Sequence, residues 1–345
     1  MPGSAFRASM GKFAIAIAEA DRTVEGRADQ SVLDACLVAG VALRYNCRSG
    51  ECGDCIARLV SGKVRELPGA DPARFNDDHR SRGMVLTCMS YPVSDLVLSA
   101  QLGVDDAPAI VEFDTVVRGI RRQGPHIAEV SVETQTAIGY RAGQYFEWIL
   151  PGISQNRSYS AANRPGTTRI EFHVRLYDQG QVSRMLASGL LGEGAILRLK
   201  GPYGNFRLSS DDQRPAILVA GGTGLAPIGA MLDEAFASGS RRSFRFFYGT
   251  RTAADLYHRD RIAEWTRQNP GFSFIPVLSC EADDSSWPGE RGLVTEAMRR
   301  QLSDAFGAEA YLCGPPPMID AAIELLVQLG VDRPDIHYDK FTPVA

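Results

Sequence analysis

No hydrophobic run in this chain of 345 residues reaches the roughly 18 apolar positions that a membrane-spanning helix needs. Its opening, "MPGSAFRASMGKFAIAIAEADRTV", also lacks the long apolar core and small-residue cleavage site of a secretory signal. Neither sign of charge is in excess. The 37 Lys plus Arg against 41 Asp plus Glu leave a net charge of −4, which gives no footing for nucleic-acid binding. Internal repeats and low-complexity tracts are absent too. These absences lead us to expect a soluble, cytoplasmic monomer with no membrane span and no nucleic-acid partner. Cysteine is scarce, at seven residues, and such a compartment keeps thiols reduced. A tight group of cysteines is therefore expected to serve a metal or redox site before a disulfide frame.

Such a group exists. "CRSGECGDC", residues 47–55, places Cys47, Cys52 and Cys55 in the spacing C-x4-C-x2-C, and Cys88 in "VLTCMS" supplies a distant fourth thiol. A two-iron, two-sulfur cluster needs four thiolates, which a tight loop plus one remote ligand can provide. Gly50 and Gly53 let the backbone wrap closely, so that N–H groups can point at the sulfur atoms. Structural zinc, the competing reading, usually shows paired C-x2-C knuckles that this loop lacks. Cys36 and Cys280 read as ordinary core or wall residues.

Hydrophobic patterning divides the chain into residues 1–100, a linker at 101–109 ("QLGVDDAPA"), 110–212 and 213–345. In the first part, short alternating strands ("FAIAI", "DLVLSA") surround the helix signal "SVLDACLVAG", where Ser31 and Asp34 form a capping pair. In the second, strand-like runs recur at regular spacing between Gly and Pro turns, which predicts an antiparallel β-barrel. From Pro215 onward, buried strands alternate with amphipathic helices, the pattern of an α/β doubly wound parallel sheet.

The cysteine spacing resembles that of the plant-type ferredoxins over about the first 95 residues. The resemblance implies a β-grasp (α+β) fold and a one-electron carrier with a potential of about −400 mV. "RSYSAAN", residues 157–163, resembles the R-x-Y-S motif of the ferredoxin-reductase flavoproteins. Arg157 offers a donor fork to a pyrophosphate, Tyr159 a flat face to an isoalloxazine ring, and Ser160 a hydroxyl to the N5 region. Downstream, "HVRLYDQGQVSRML" fits the same pattern, with Gly180, Gln181, Val182 and Ser183 opening a helix whose N–H groups can hold the diphosphate. Ser158, His173 and Val174 complete the residues that the resemblance assigns to FAD. No histidine is given a catalytic role, and His173 reads as a barrel residue before a metal ligand.

"LVAGGTGLAPIGAML" runs from a buried strand through glycines into a helix, so that Gly222, Thr223 and Gly224 admit a pyrophosphate to close approach. Pro227 stands where the dinucleotide fingerprint G-x-G-x-x-G would have its third glycine, and Pro is tolerated at a helix start. The loop is similar to the G-G-T-G-x-A-P loop of the same flavoproteins, and "YLCGPPPMID" is similar to their C-G-P-P motif. That likeness implies that Cys313, Gly314 and Pro315 line the nicotinamide site. It also makes Phe341, in the tail "HYDKFTPVA", the aromatic that covers the flavin face. With Ser160, Cys313 and Phe341 are thus the candidate catalytic residues. The acidic stretch "CEADD", with Glu281, Asp283 and Asp284, favours NADH over NADPH, against Arg251, which could reach a 2′-phosphate.

The order of the three parts resembles the single-chain iron–sulfur flavoprotein reductases of bacterial multicomponent oxygenases, of the methane monooxygenase and benzoate dioxygenase type. The resemblance implies electron flow from NADH through FAD and the cluster to a terminal oxygenase or hydroxylase, either a diiron monooxygenase or a Rieske dioxygenase. Arg44, Arg48 and Glu51, beside the cysteines, are candidates for docking that partner. A free-standing reductase serving a soluble carrier, and a metal-stapled interaction protein without turnover, remain open on the sequence.

Overall fold

The structure, a computed structural model, describes residues 11–103, 108–153, 155–209, 213–282 and 285–342. They form two compact units, divided between residues 110 and 111.

In the first unit five strands form one sheet, in the order Arg22–Arg27, Lys12–Ile17, Leu96–Ala100, Ile56–Ser61 and Met84–Leu86. Lys12–Ile17 runs antiparallel to Arg22–Arg27 but parallel to Leu96–Ala100, giving the β-grasp arrangement. The alternation in "FAIAI" buries Ile15 and Ile17 beneath the helix Val32–Val38, which adds Leu33 and Cys36 to the same core. That helix begins where Ser31 Oγ accepts the Asp34 N–H at 3.1 Å, the cap the sequence predicted. Residues 101–103, expected in the linker, instead extend this unit. Arg44 N–H donates to Gln101 O, Leu43 bridges Leu102, and Gly103 N–H donates to Ala42 O. Residues 104–107 of the expected linker lie outside the described residues.

The second unit holds two sheets. Six antiparallel strands follow the order Arg157–Ser160, Tyr145–Ile149, Ile196–Tyr203, Val111–Arg122, Ile127–Glu133 and Arg169–Arg175. The bridge between Ala161 and Phe172 joins first strand to last, so that the sheet closes into a barrel filled by Phe146, Trp148, Phe172 and Val174. The other sheet is parallel throughout, in the order Glu290–Arg291, Phe272–Leu278, Phe244–Thr250, Ala216–Gly221, Glu309–Gly314 and Ile336–Lys340. Apolar cores lie on both of its faces, which accounts for strands such as Ala216–Gly221 that are buried at every position.

The sheet buries charge at the first residue of the strand Glu309–Gly314. Glu309 accepts from Arg242 at 2.5 Å, from Ser209 Oγ at 2.5 Å and from Tyr311 at 2.8 Å, and Arg214 reaches its other oxygen at 3.2 Å. Burial alone would raise the Glu309 carboxyl; the hydrogen bonds from Ser209, Arg242 and Tyr311 outweigh it and hold it below the ordinary 4.5. Glu309→Gln leaves the Arg242 guanidinium buried without its counter-charge and is expected to lower stability by about 3 kcal/mol at neutral pH. Because the folded pKa is depressed, the carboxylate's contribution is full above about pH 4.5 and declines as pH falls toward the folded value. Urea melts of both proteins at pH 7 and pH 4 check this: the gap should narrow in acid.

Candidate functional site

The cysteine loop turns through three left-handed residues, Arg48, Gly50 and Gly53, at φ of 58°, 81° and 79°. At Gly50 an added Cβ would lie 3.2 Å from both the Ala70 Cα and the Met89 Cγ, so glycine is needed for space as well as for dihedral. This winding aims backbone donors at sulfur: Ser49 and Cys52 N–H groups lie 3.4 Å from Cys47 Sγ, and Asp54 N–H lies 3.4 Å from Cys52 Sγ. Cys88, on the turn between the strands Met84–Leu86 and Ser90–Pro92, brings its sulfur to 3.2 Å from Cys55 Sγ. A hydrogen bond from Cys52 lowers Cys47 to about 6, and one from Cys88 lowers Cys55; the two donor thiols are raised in turn. Four sulfurs in two proton-sharing pairs, surrounded by N–H donors, fit a site for soft metal ions, and one loop plus one remote ligand suits a two-iron cluster.

Of the three residues expected to dock a partner, Arg48 is drawn inward. Its side chain is 13% exposed and pairs with Asp34 of the capped helix at 2.6 Å. Arg44 stays exposed, bonded to Gln101 at 3.1 Å. Glu51 is half-buried beside the loop.

In the barrel, strand alternation places Arg157 and Tyr159 on one face and Ser158 and Ser160 on the other. The Arg157 guanidinium donates to Gln181 Oε1 at 2.7 Å, which unites the motif with the turn Gly180–Ser183. At Gly180 a Cβ would lie 2.8 Å from Ser183 Oγ, so this turn is also tight. Tyr159 leans on Trp148, ring centres 4.4 Å apart, and burial pushes its phenol up. Ser158 is exposed opposite Glu147, while Ser160 is buried opposite Tyr145. Val182 and Val174 are buried in the barrel core.

His173 points away from that core. Its ring is fully enclosed, with Nδ1 2.8 Å from the Tyr257 hydroxyl and Nε2 3.1 Å from His258 Nε2, and burial keeps it uncharged by lowering its pKa. His258 also lies 3.1 Å from Glu129, the residue opposite His173 in the barrel ladder. Nothing in the sequence marked Glu129, Tyr257 or His258; no spacing rule links positions 85 residues apart.

The nucleotide-loop residues gather at the carboxyl ends of the adjacent strands Ala216–Gly221 and Glu309–Gly314. Gly224 approaches so closely that its Cβ would stand 2.1 Å from Cys313 O, and at Gly314, with φ of 144°, a Cβ would stand 3.0 Å from Gly221 N. Tyr248 donates to Gly222 O at 3.0 Å, and the turn Gly222–Gly224 lies against the barrel strand Arg169–Arg175. Thr223 is half-buried there, and Pro315 precedes the helix Pro316–Gln328. Cys313 is fully buried, and burial pushes its thiol far up. Phe341 N–H donates to Gly314 O at 2.8 Å, which sets the aromatic beside this loop. Pro227 is the third residue of the helix Leu225–Ala237, within the first turn where no N–H is required. Glu281 accepts the Ala253 N–H at 2.9 Å; Asp283 and Asp284 lie outside the described residues. No helix among the described residues is long and apolar enough to cross a membrane.

Comparison with known proteins follows the same three parts. Residues 15–93 match the 2Fe-2S iron-sulfur cluster binding domain, 125–208 the oxidoreductase FAD-binding domain, and 218–324 the oxidoreductase NAD-binding domain. The reductase component DmpP of phenol 2-monooxygenase from Pseudomonas sp. (strain CF600) is 33% identical, over 96% of this chain and 95% of its own. The reductase component of propane 2-monooxygenase from Gordonia sp. (strain TY-5) is 34% identical, over 94% and 96%. Among solved structures, the Amycolatopsis cytochrome P450 reductase GcoB aligns with a TM-score of 0.85 at 31% identity, covering 96% of this chain and 99% of that one.

Proposed function

Since this chain belongs to the iron–sulfur flavoprotein reductases that serve oxygenases, an oxidoreductase family with 2Fe-2S, FAD and NAD domains, we propose that it carries electrons from NADH to a terminal oxygenase. The observation that carries this reading is a likeness that runs through all three parts, in the same order, over nearly the full length of the phenol and propane monooxygenase components. Those names favour a monooxygenase as acceptor over a Rieske dioxygenase.

When bound, FAD takes two electrons as hydride and gives them up singly, and the cluster relays them one at a time. The chain's task is orientation and exclusion of water. In our reading Arg157 and the Gly180–Ser183 turn hold the FAD diphosphate, with Ser158, Tyr159, Ser160, His173 and Val174 along the strands that bear the ring. Gly222, Thr223 and Gly224 receive the NADH diphosphate. Cys313, Gly314 and Pro315 form the wall where nicotinamide meets flavin, and Phe341 covers that face until nicotinamide enters. Cys47, Cys52, Cys55 and Cys88 ligate the cluster. Glu281, tied to Ala253 beside Arg251, supports NADH over NADPH by placing negative charge near the expected ribose.

We further place the protein in the cytoplasm as a monomer without nucleic-acid partners, supported by seven cysteines of which none is in a disulfide and by a net charge of −4. Steady-state ferricyanide reduction with each nucleotide tests the donor. NADH should exceed NADPH in kcat/KM by at least about tenfold, the discrimination that one well-placed charge supplies; equal values would overturn the assignment. Stoichiometric reduction of a purified monooxygenase partner tests the acceptor, and a protein that reduces only free ferredoxin would overturn it.

A further inference from the structure

The polar cluster at the seam between barrel and parallel sheet, of which only His173 figures in the proposed flavin site, has the composition of a metal site. We propose that Glu129, His173 and His258 bind a divalent transition-metal ion of the zinc class.

The donor atoms already converge. His258 Nε2 lies 3.1 Å from Glu129 Oε2 and 3.1 Å from His173 Nε2, and all three ligand atoms fall within 4.8 Å of one another. Tetrahedral zinc with bonds of about 2.0–2.1 Å requires separations of about 3.3 Å, so two edges of the ligand triangle are already close to the required length. Two imidazoles and one carboxylate are a zinc-binding set, with the fourth position open to water.

The groups behind the donors fit as well. A ligating histidine normally donates its other ring N–H to a partner, and His173 Nδ1 has one in the Tyr257 hydroxyl at 2.8 Å. Glu129 is steadied by Arg121 on Oε1 and by Gln123 on Oε2 at 3.0 Å. Without an ion, one His258 N–H has two acceptors to serve, Glu129 Oε2 and His173 Nε2, where a dication would satisfy three lone pairs together. The ligands are also held in place. Glu129 and His173 are directly opposed on neighbouring barrel strands, and His258 is turned to face them by a left-handed backbone, φ 53°, that a non-glycine residue rarely adopts.

The ion would join two parts of the molecule. Glu129 and His173 belong to the barrel, and His258 precedes the helix Arg259–Gln268 of the parallel-sheet region. Bound metal therefore clamps the barrel to the sheet that carries the Gly222–Gly224 loop.

The test uses tag-free holoprotein with FAD and iron retained, treated with chelator and then dialysed against Zn²⁺. One equivalent of zinc should bind while the iron content is unchanged, with an absorption-edge shell of nitrogen and oxygen at about 2.0–2.1 Å and no sulfur. The thermal midpoint should rise with zinc. His258→Asn, which tolerates the left-handed backbone, and Glu129→Gln should each weaken binding at least tenfold and remove that rise. Three results would overturn the proposal: no stoichiometric zinc in the unaltered protein, a sulfur shell at about 2.3 Å that places zinc on the cysteines, or equal affinity in either folded variant.

Discussion

Cys52→Ser is expected to reduce NADH-driven cytochrome c reduction to a few per cent or less of the unaltered rate, while NADH-driven ferricyanide reduction stays within about twofold, because only the first passes through the cluster. Cys52 lies at the centre of the loop: its N–H donates to Cys47 Sγ, and its own sulfur accepts from Asp54 N–H. Serine keeps the backbone and its donors but replaces a soft thiolate with a hard, poorly ionised oxygen. The loop has no fifth thiol to recruit, since Cys36 is packed in the helix core and its thiol is pushed up to about 12 by burial. The flavin-domain and nucleotide-domain matches, 125–208 and 218–324, lie outside the first compact unit, so FAD content and ferricyanide activity report on parts that the substitution leaves intact. Iron content and visible absorption check the cluster directly. If cytochrome c reduction persists above about a tenth of its normal rate in iron-free protein, electrons leave from the flavin and the relay is wrong.

What could be read from the sequence was local. Cys47, Cys52 and Cys55 lie within nine positions, and the Ser31 cap is three residues from its acceptor's partner N–H, so spacing alone carries the chemistry. The parallel sheet was legible for a related reason: a strand buried on both faces must be apolar throughout, as Ala216–Gly221 is. Polar groups that meet across the fold left no such trace. Alternation along "EFHVRL" turns Phe172 and Val174 into the barrel and His173 out of it. That His173 then meets Tyr257 and His258 depends on how the parallel sheet docks, which no periodicity encodes. Glu309 was hidden in the same way, because an acid at a strand end reads as exposed until Arg242 and Ser209 are seen above it. Arg48 looked like a surface charge because its partner Asp34 lies on the preceding helix.

Gly224→Ala should lower kcat/KM for NADH by about 100-fold, the loss that a displacement on the order of 1 Å causes at a site whose work is orientation. The methyl group has no room: it would stand 2.1 Å from Cys313 O and 2.7 Å from Cys313 C, backbone atoms that cannot rotate aside. Either the Gly222–Gly224 turn or the end of the strand Glu309–Gly314 must move; the first is proposed to hold the NADH diphosphate and the second to wall the nicotinamide. The residue's own dihedral is not at issue, since Gly224 has φ of −59°, open to any residue. Gly222→Ala supplies the contrast. Gly222 has φ of 55° but nothing within 4 Å of its Cβ position, so alanine there meets backbone strain of about 1 kcal/mol without a collision. FAD content and dithionite reduction should be normal in both proteins, which confines the measured loss to the nucleotide step. If Gly222→Ala loses more than Gly224→Ala, loop conformation and not contact with Cys313 governs nicotinamide placement. If Gly224→Ala stays within about twofold of the unaltered protein, the strand end is free to yield and the wall at Cys313 does not position the nicotinamide.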